Sequence, residues 1–206
     1  MYTMNKFTKK DLLFSIITGL ITGIIVWRIF DFLKAPSFGL PTHAWFILIV
    51  PVLWIIGVNL GYFLGRWIPL FNQFGKFAAI GFTNAAVYFG ILNLLIAYTD
   101  IAKGLWYSVF IAVAFIVGTV HSYGWNKYWS FDAGETQAGG VEFIKFLSVS
   151  VLAGVINVGI ASFVVNGIDP MFGMSAKTLA NVGGVVGSGI ALVFSFTGFK
   201  LAVFKK

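Results

Sequence analysis

Long apolar runs, separated by short polar turns, dominate the sequence. A helix needs roughly 20 residues to cross a hydrocarbon core of about 30 Å, and six runs are long enough. Their approximate limits are 12–33, 45–64, 77–98, 105–125, 143–166 and 178–201. The runs lack the strict apolar–polar alternation of a transmembrane β-barrel strand. The pattern therefore predicts an all-α integral membrane protein with six transmembrane helices.

The composition agrees with this interpretation. Hydrophobic residues make up 59% of the 206 residues and charged residues only 10%, and the mean hydropathy is +0.92. A soluble domain is typically about 45–50% apolar and about 25% charged, so a soluble chain of this size could not bury so much apolar surface. The sequence contains no cysteine, which excludes disulfides and thiolate chemistry.

The basic residues sort unevenly between the two ends of the predicted helices. The side that holds Lys6 receives ten lysines and arginines, and the opposite side receives four, namely Arg28, Lys34, Lys103 and Lys177. An excess of lysine and arginine marks the cytoplasmic face, so both termini are predicted to be cytoplasmic and the protein to lie in the cytoplasmic membrane. The first run is longer than the apolar part of a signal peptide and lacks a small-x-small exit, so we expect a retained signal anchor. Basic residues scattered over membrane edges predict no nucleic-acid partner.

No pattern of an enzyme site is present in the sequence. The two histidines, His43 and His121, fall on opposite sides of the predicted membrane, which disfavours a metal cluster. No carboxylate lies in the middle of a span, and no phosphate-binding glycine loop occurs. The sequence thus predicts a protein that is not an enzyme, without catalytic residues, bound metal or cofactor. A channel would need polar residues along a whole helix face, and none of the six spans has such a face.

Glycines spaced four apart predict close helix packing. Gly57, Gly61 and Gly65 form two such steps on the second span, where small residues let helix backbones approach. Packing within the chain is the favoured interpretation, and a homodimer through this stripe is the alternative. On the first span Arg28 and Asp31 are three residues apart and are expected to pair on one helix face.

The second two-thirds of the chain contains an internal repeat. Lys76-Phe77 at the start of the third span recurs as Lys145-Phe146 at the start of the fifth, 69 residues later. The end of the fourth span, 122–131, matches the end of the sixth, 195–204, at an offset of 73. Serine, aromatic, lysine and phenylalanine positions coincide in this match. We therefore expect two parallel two-helix repeats, about 74–132 and 143–206, in a four-helix core over 73–206, preceded by an N-terminal two-helix hairpin over 1–72.

These residues resemble the GtrA-like family of small membrane proteins. The family opens its first core helix with Phe-x-x-x-Gly, matched by Phe77 and Gly81, and ends its second with Asn-Phe-x-x-Asn-Arg-x-Trp-Thr-Phe. The ending is matched, identically or conservatively, by Tyr123, Asn126, Lys127, Trp129, Ser130 and Phe131. Ser122 replaces the first asparagine, and Ala202 stands where the second repeat would have the tryptophan.

The resemblance implies a role in cell-surface polysaccharide synthesis. Members of the family are proposed to carry polyprenyl-phosphate-linked sugars across the membrane, which makes such a lipid the expected partner. Similar four-helix domains are fused to, or paired with, polyprenyl-phosphate glycosyltransferases. The alternative function is therefore a non-catalytic membrane anchor or scaffold for such an enzyme. The N-terminal hairpin is a departure from the family pattern.

The sequence also indicates which residues would hold such a ligand. Lys127 and Lys200 sit at equivalent helix ends, and Lys76 and Lys145 at equivalent helix starts, where backbone N–H groups would add partial positive charge. Together the four lysines are predicted to bind the phosphate head. Ordinary positive-inside anchoring is the alternative interpretation.

A polar pocket is predicted beside these lysines. His121 lies about 9 Å, and Asn84 about 12 Å, inside their spans by helix rise. The candidates for the pocket are His121, Asn126, Asn84, Ser122 and Trp129. Polar residues within the apolar zone usually face the bundle interior or a cavity, although a structural, hydrogen-bonded histidine would give the same pattern.

Overall fold

The computed structural model describes residues 6–36, 42–101, 104–134, 140–167 and 176–204. Within these ranges it contains six α-helices and no strand. The helices are α1 (Lys9–Phe32), α2 (Phe46–Leu64), α3 (Phe71–Thr99), α4 (Gly104–Trp125), α5 (Gly140–Gly167) and α6 (Ala176–Gly198). Each helix coincides with one of the six apolar runs, so the all-α prediction is confirmed.

Five helical segments in the described residues are long and apolar enough to cross a membrane. They lie at Lys9–Phe32, His43–Leu64, Phe71–Thr99, Gly140–Asn157 and Val186–Val203. The chain is therefore a multi-pass membrane protein. The remaining predicted span coincides with α4, whose crossing stays a prediction, as do the cytoplasmic position of the termini and the retained anchor.

The chain divides into two compact units, 1–134 and 135–206. In the first unit, α1 packs against α2 and α3, and α3 packs against both α2 and α4. In the second unit, α5 and α6 pack along each other. The N-terminal hairpin thus packs on the helices of the first predicted repeat, while a domain boundary near residue 72 stays a prediction.

The interior of the first unit is polar along α1. Every buried residue of this helix is small or polar, namely Asp11, Ser15, Thr18, Gly19, Thr22 and Gly23. Apolar residues such as Leu13 and Ile24 lie on its exposed surface instead. Lipid solvates apolar side chains as well as a protein core does, so helix association in a membrane relies on small residues and polar contacts.

Glycines allow α1 and α3 to approach α2 closely. A Cβ atom at Gly19 would collide with the backbone of Pro51, and one at Gly61 would lie 2.8 Å from the carbonyl oxygen of Phe71. A Cβ at Gly57, in contrast, would meet nothing within 4 Å. Packing within the chain is therefore confirmed for Gly61, and a homodimer stays a prediction.

The expected pairing of Arg28 with Asp31 is wrong. Asp31 Oδ1 instead lies 2.9 Å from Nδ1 of His43, in the short 3₁₀ turn that precedes α2. The guanidinium of Arg28 lies 5.6 Å from the ring centroid of Trp27. Helix spacing alone allowed the predicted pair, but the tertiary contact between α1 and the start of α2 brings a better-placed partner to the carboxylate.

Both matched helix ends continue as π-helical turns. One turn covers Asn126–Ser130 after α4, and the other covers Phe199–Val203 after α6. The next backbone N–H donates five residues back in each case, from Phe131 to Asn126 at 2.9 Å and from Phe204 to Phe199 at 2.8 Å. The turns are 73 residues apart, the offset of the sequence repeat. Single π turns of this kind often occur at functional sites.

Candidate functional site

A buried carboxylate lies in the first turn of α1. Thr8 is the N-cap of this helix, and its backbone N–H and hydroxyl donate to Oδ2 of Asp11 at 2.9 and 2.8 Å. Asp11 N–H donates back to the Thr8 hydroxyl at 3.1 Å, which completes a capping box. Only 1% of Asp11 is exposed. A buried carboxylate requires more partners than its own cap provides.

Three further donors reach Asp11 from the other helices of the first unit. The Tyr62 hydroxyl of α2 donates to Oδ2 at 2.9 Å, and the Trp129 Nε1–H after α4 donates to Oδ1 at 3.0 Å. The Lys76 ammonium of α3 lies 2.8 Å from Oδ1. Hydrogen bonds to an ionised group are among the strong ones. We call Thr8, Asp11, Tyr62, Lys76 and Trp129 the Asp11 cluster; it ties all four helices together.

The two lysines predicted at helix starts lie deeper in their helices than expected. Because α3 begins at Phe71 and α5 at Gly140, Lys76 and Lys145 are each about one and a half turns inside. The prediction that free backbone N–H groups of a helix start lie beside these two lysines is therefore wrong. The Lys76 side chain is 14% exposed and pairs with Asp11, whereas Lys145 lies on the surface.

The two lysines at the helix ends have similar surroundings. Lys127 is only 2% exposed, and its Nζ lies 5.9 Å from the ring centroid of Tyr123. The Nζ of Lys200, which is half-buried, lies 5.9 Å from the ring centroid of Phe196. In both cases the ring belongs to the residue four positions earlier, so the stem of the lysine packs along its own helix. Lys76 and Lys127 belong to the first unit and the other two to the second, and a single ring of four lysines stays a prediction.

His121 and Asn126 carry buried atoms without hydrogen-bond partners among the described residues. Trp125 Nε1–H donates to His121 Nε2 at 2.9 Å, so the neutral imidazole carries its proton on Nδ1, and this atom has no partner. The Asn126 amide donates to the carbonyl and hydroxyl oxygens of Ser122 at 2.9 and 3.1 Å. The Oδ1 atom of Asn126 has no partner.

Asn84 faces the same helix from α3. Its Oδ1 is buried and unpartnered in the described part of the chain, and it would lie 3.1 Å from a Cβ atom at Gly118 of α4. Gly118 is about one turn before Ser122. We call Asn84, His121 and Asn126 the polar site. The polar site thus holds one N–H donor and two carbonyl acceptors that are buried without partners among the described residues.

Trp129 belongs to the Asp11 cluster, since its single N–H is engaged by Asp11. Ser122 is buried beside Asn126 as the sequence suggested. Of the five predicted pocket residues, Asn84 faces α4 at Gly118, and His121, Ser122 and Asn126 lie at or just after the end of α4, while Trp129 binds the carboxylate of α1.

Sequence reasoning missed the polar face of α1. Besides Asp11, the Thr22 hydroxyl lies 3.0 Å from Thr83 Oγ1 of α3, which also accepts from Trp54 Nε1–H at 3.1 Å. The signal was available, because polar residues at 11, 15, 18 and 22 recur at helical spacing along the first span. Their partners could not be read, because each lies on another helix.

The second predicted repeat has apolar residues at the positions of the polar site. At the offsets of 69 and 73, the positions equivalent to Asn84, His121 and Asn126 are occupied by Ala153, Phe194 and Phe199. In the second unit, Phe199 stacks on Phe146 with ring centroids 4.2 Å apart. The two helix pairs thus share a backbone ending but differ in their interior chemistry.

Comparison with known proteins gives one family and one curated relative. The family model of the GtrA/DPMS transmembrane domain matches residues 76–204. An uncharacterized membrane protein, YngA of Bacillus subtilis (strain 168), is 28% identical over 95 residues, which is 45% of this chain and 60% of the relative. No solved structure gives a significant match. Because the family model covers more than half of the sequence and includes both π-helical endings, the chain belongs to the GtrA/DPMS transmembrane domain family.

Proposed function

We propose that the protein binds a polyprenyl-phosphate-linked sugar and carries it across the cytoplasmic membrane for cell-surface polysaccharide synthesis. Membership of the GtrA/DPMS transmembrane domain family supports this class of lipid substrate. The observation that carries the proposal is the polar site, whose three buried polar atoms have no hydrogen-bond partner in the described part of this unit.

A sugar suits the hydrogen-bonding chemistry of this site. Each sugar hydroxyl both donates and accepts, so it can accept from the Nδ1–H of His121 and donate to Oδ1 of Asn84 or Asn126. Unpaired polar groups cost several kcal/mol each in hydrocarbon. Hydroxyl groups of a bound sugar would supply the missing hydrogen bonds of these atoms. The apolar residues at the equivalent positions of the second repeat could not bind a sugar in this way.

Lys127, in the same unit as the polar site, would hold the phosphate. Its Nζ lies 5.9 Å from the ring centroid of Tyr123, and Lys200 has the matching position in the second unit, with its Nζ 5.9 Å from the ring centroid of Phe196. Lys145 is exposed, while Lys76 is already neutralised by Asp11. In this proposal the phosphate head binds at headgroup depth, and the sugar reaches inward to the polar site.

An anchor for a glycosyltransferase is the second candidate, and a groove on the first unit favours it. The groove lies between α2 and α3 and encloses about 340 Å³. Its lining is apolar and aromatic, including Leu53, Trp54, Gly57, Leu60, Phe74 and Phe82. The open space at Gly57 would let another transmembrane helix approach closely.

A translocation assay tests the first proposal. The purified protein would be reconstituted in liposomes that carry a short-chain polyprenyl phosphate linked to a radiolabelled sugar. The fraction of sugar accessible to an externally added, membrane-impermeant oxidant would be followed over time. We expect protein-dependent exposure of sugar from the inner leaflet. The double variant Asn84→Ala with His121→Phe introduces the residue types found at the equivalent positions of the second repeat. It should reduce the rate of sugar exposure to that of empty liposomes.

Asn93→Ala is the matched control variant. Asn93 is also an amide of α3, but its Nδ2 donates to the Phe89 carbonyl of its own helix at 2.8 Å, so its loss should leave transport unchanged. Equal rates with and without protein would overturn the carrier proposal. A protein that lacks transport but copurifies stoichiometrically with a glycosyltransferase in native mass spectrometry would instead support the anchor.

A further inference from the structure

The groups around Asp11 have the chemistry of an anion site. Lys76 and the indole N–H of Trp129 can only donate hydrogen bonds, and the Tyr62 hydroxyl donates here as well. All three converge on one carboxylate that is 1% exposed. The three come from α2, α3 and the π turn after α4, so the fold assembles them from segments distant in sequence.

The Asp11 carboxylate and two of its hydrogen-bond donors come from different parts of the chain. Lys76 and Trp129 lie inside residues 76–204, which match the family model, whereas Asp11 lies in the N-terminal hairpin that precedes them. The family domain thus supplies an ammonium and an indole N–H, and the additional hairpin supplies the carboxylate that neutralises them. In the second repeat Ala202 stands at the position of Trp129, so the pair of a lysine and a tryptophan donor is present in the first repeat and not in the second.

Stability is not the only role open to this arrangement. Burying two charges costs desolvation energy that their attraction offsets only in part, and apolar residues of similar volume often stabilise a fold as well. The same donors have the chemistry to bind another anion in place of the carboxylate.

We propose that Lys76, Tyr62 and Trp129 form a binding site for a phosphate group, and that Asp11 fills this site in the resting protein as an internal competitor. The phosphate would belong to a lipid head or to a free ion. The proposal rests on the proposed function only for the identity of the natural ligand. Because a phosphate must displace a carboxylate with five hydrogen bonds, removing the negative charge of Asp11 should strengthen phosphate binding.

Anion rescue tests the site directly. Asp11→Gly removes the carboxylate and leaves its donors facing a small void. The thermal unfolding of this variant in detergent would be followed with added inorganic phosphate or formate, against chloride at equal ionic strength. We expect the variant to melt below the wild type and to regain most of the loss with phosphate or formate. The double variant Asp11→Gly with Lys76→Met should not respond. An Asp11→Gly protein that responds to phosphate no more than to chloride would overturn the site.

Lipid binding gives a second measurement that does not depend on the stability of the glycine variant. Asp11→Asn keeps the shape of the side chain and removes its charge. Native mass spectrometry with dodecyl phosphate as the probe should give binding at least roughly tenfold tighter than in the wild type, equivalent to about 1.4 kcal/mol. Unchanged affinity would contradict the proposal. A gain for dodecyl phosphate that inorganic phosphate cannot compete away identifies a lipid head, whereas full competition identifies the free ion.

Lys10→Gln is the control variant. Lys10 precedes Asp11 and forms an exposed ion pair with Asp132 at 2.7 Å, so its loss changes the local charge without emptying the site. Its affinity for dodecyl phosphate should remain at the wild-type value. The sugar-transport assay on Asn84 and His121 is independent of these measurements. Anion rescue without transport would therefore reject the proposed function and keep the anion site.

Discussion

The ring centroids of Phe77 and Phe131 lie 6.1 Å apart, with an angle of 60° between the ring planes. The equivalent residues of the second unit, Phe146 and Phe204, are also 6.1 Å apart, at 55°. Each pair joins the second turn of one helix to the residue that follows a π-helical turn. The sequence repeat therefore corresponds to a repeated local packing within each unit.

A double-mutant cycle should detect this ring contact. Replacing Phe77 and Phe131 by leucine, singly and together, should give a coupling of about 0.5–1.5 kcal/mol in the free energy of unfolding, because edge-to-face aromatic pairs contribute this much beyond their area. The measurement is reversible unfolding in mixed detergent micelles. The same cycle with Phe131 and the exposed Phe89 should give no coupling. Equal couplings in the two cycles would show that the ring contact contributes nothing specific.

The Trp129 indole should contribute more to stability than the neighbouring Trp125 indole. Trp129→Phe removes a hydrogen bond to an ionised carboxylate, which costs about 1.5–3 kcal/mol. Trp125→Phe removes a bond between neutral groups within one helix, which costs about 0.5–1.5 kcal/mol. The two changes remove the same atoms from the side chain, and both the charge of Asp11 and the deeper burial of Trp129 make its loss the more costly one. A Trp125→Phe protein less stable than Trp129→Phe would contradict this account of the cluster.

The Thr83 hydroxyl is expected to stabilise the contact of α3 with α1 and α2. Thr83→Val leaves Trp54 Nε1–H without its acceptor and removes the contact with Thr22. An unsatisfied buried donor costs about 1–3 kcal/mol. Thr197→Val is the control, because this exposed hydroxyl donates only to the carbonyl of Val193, one turn earlier in its own helix. Unfolding in detergent should show a clear loss for the first variant and a change within about 0.5 kcal/mol for the second.

The fold was predictable because its signal is local. Runs of apolar residues identify the helices one by one, and no long-range information is needed to locate α2 or α5. The helix starts were less accurate. The turn at Pro69 ends before Phe71, so α3 includes polar residues such as Asn72 and Gln73 that a hydropathy criterion excludes from a span.

The candidate site was predictable only where its residues share a helix or a repeat. The setting of Lys127 and Lys200 follows from the repeat, His121 follows from its position inside an apolar run, and Asn126 follows from the motif at the end of that run. Asp11 could not be interpreted, because its partners Tyr62, Lys76 and Trp129 lie on three other helices. Near a helix start a single aspartate is typical of a capping residue, which Asp11 also is, and this local role concealed the tertiary one.

Gly57 and Gly61 should differ in their response to an added methyl group. A Cβ at Gly61 would lie 2.8 Å from the Phe71 carbonyl oxygen and 3.1 Å from Gly75 Cα, whereas one at Gly57 meets open space. Gly61→Ala should therefore lower the free energy of unfolding by about 1–3 kcal/mol through overpacking, and Gly57→Ala should change it by no more than about 0.5 kcal/mol.

The same two glycines separate packing within the chain from association with another protein. The Cβ of Gly57→Leu would lie in open space, and the rest of the side chain would extend into the groove between α2 and α3. If the groove is covered by a second copy or by a glycosyltransferase, this variant should lose the complex in native mass spectrometry while its monomer keeps wild-type stability. If Gly57→Leu leaves every assembly intact, no helix packs at this glycine, and the groove offers no support for the anchor function. Gly61→Leu cannot make this distinction, since it disrupts the contact of α2 with α3 in the monomer itself.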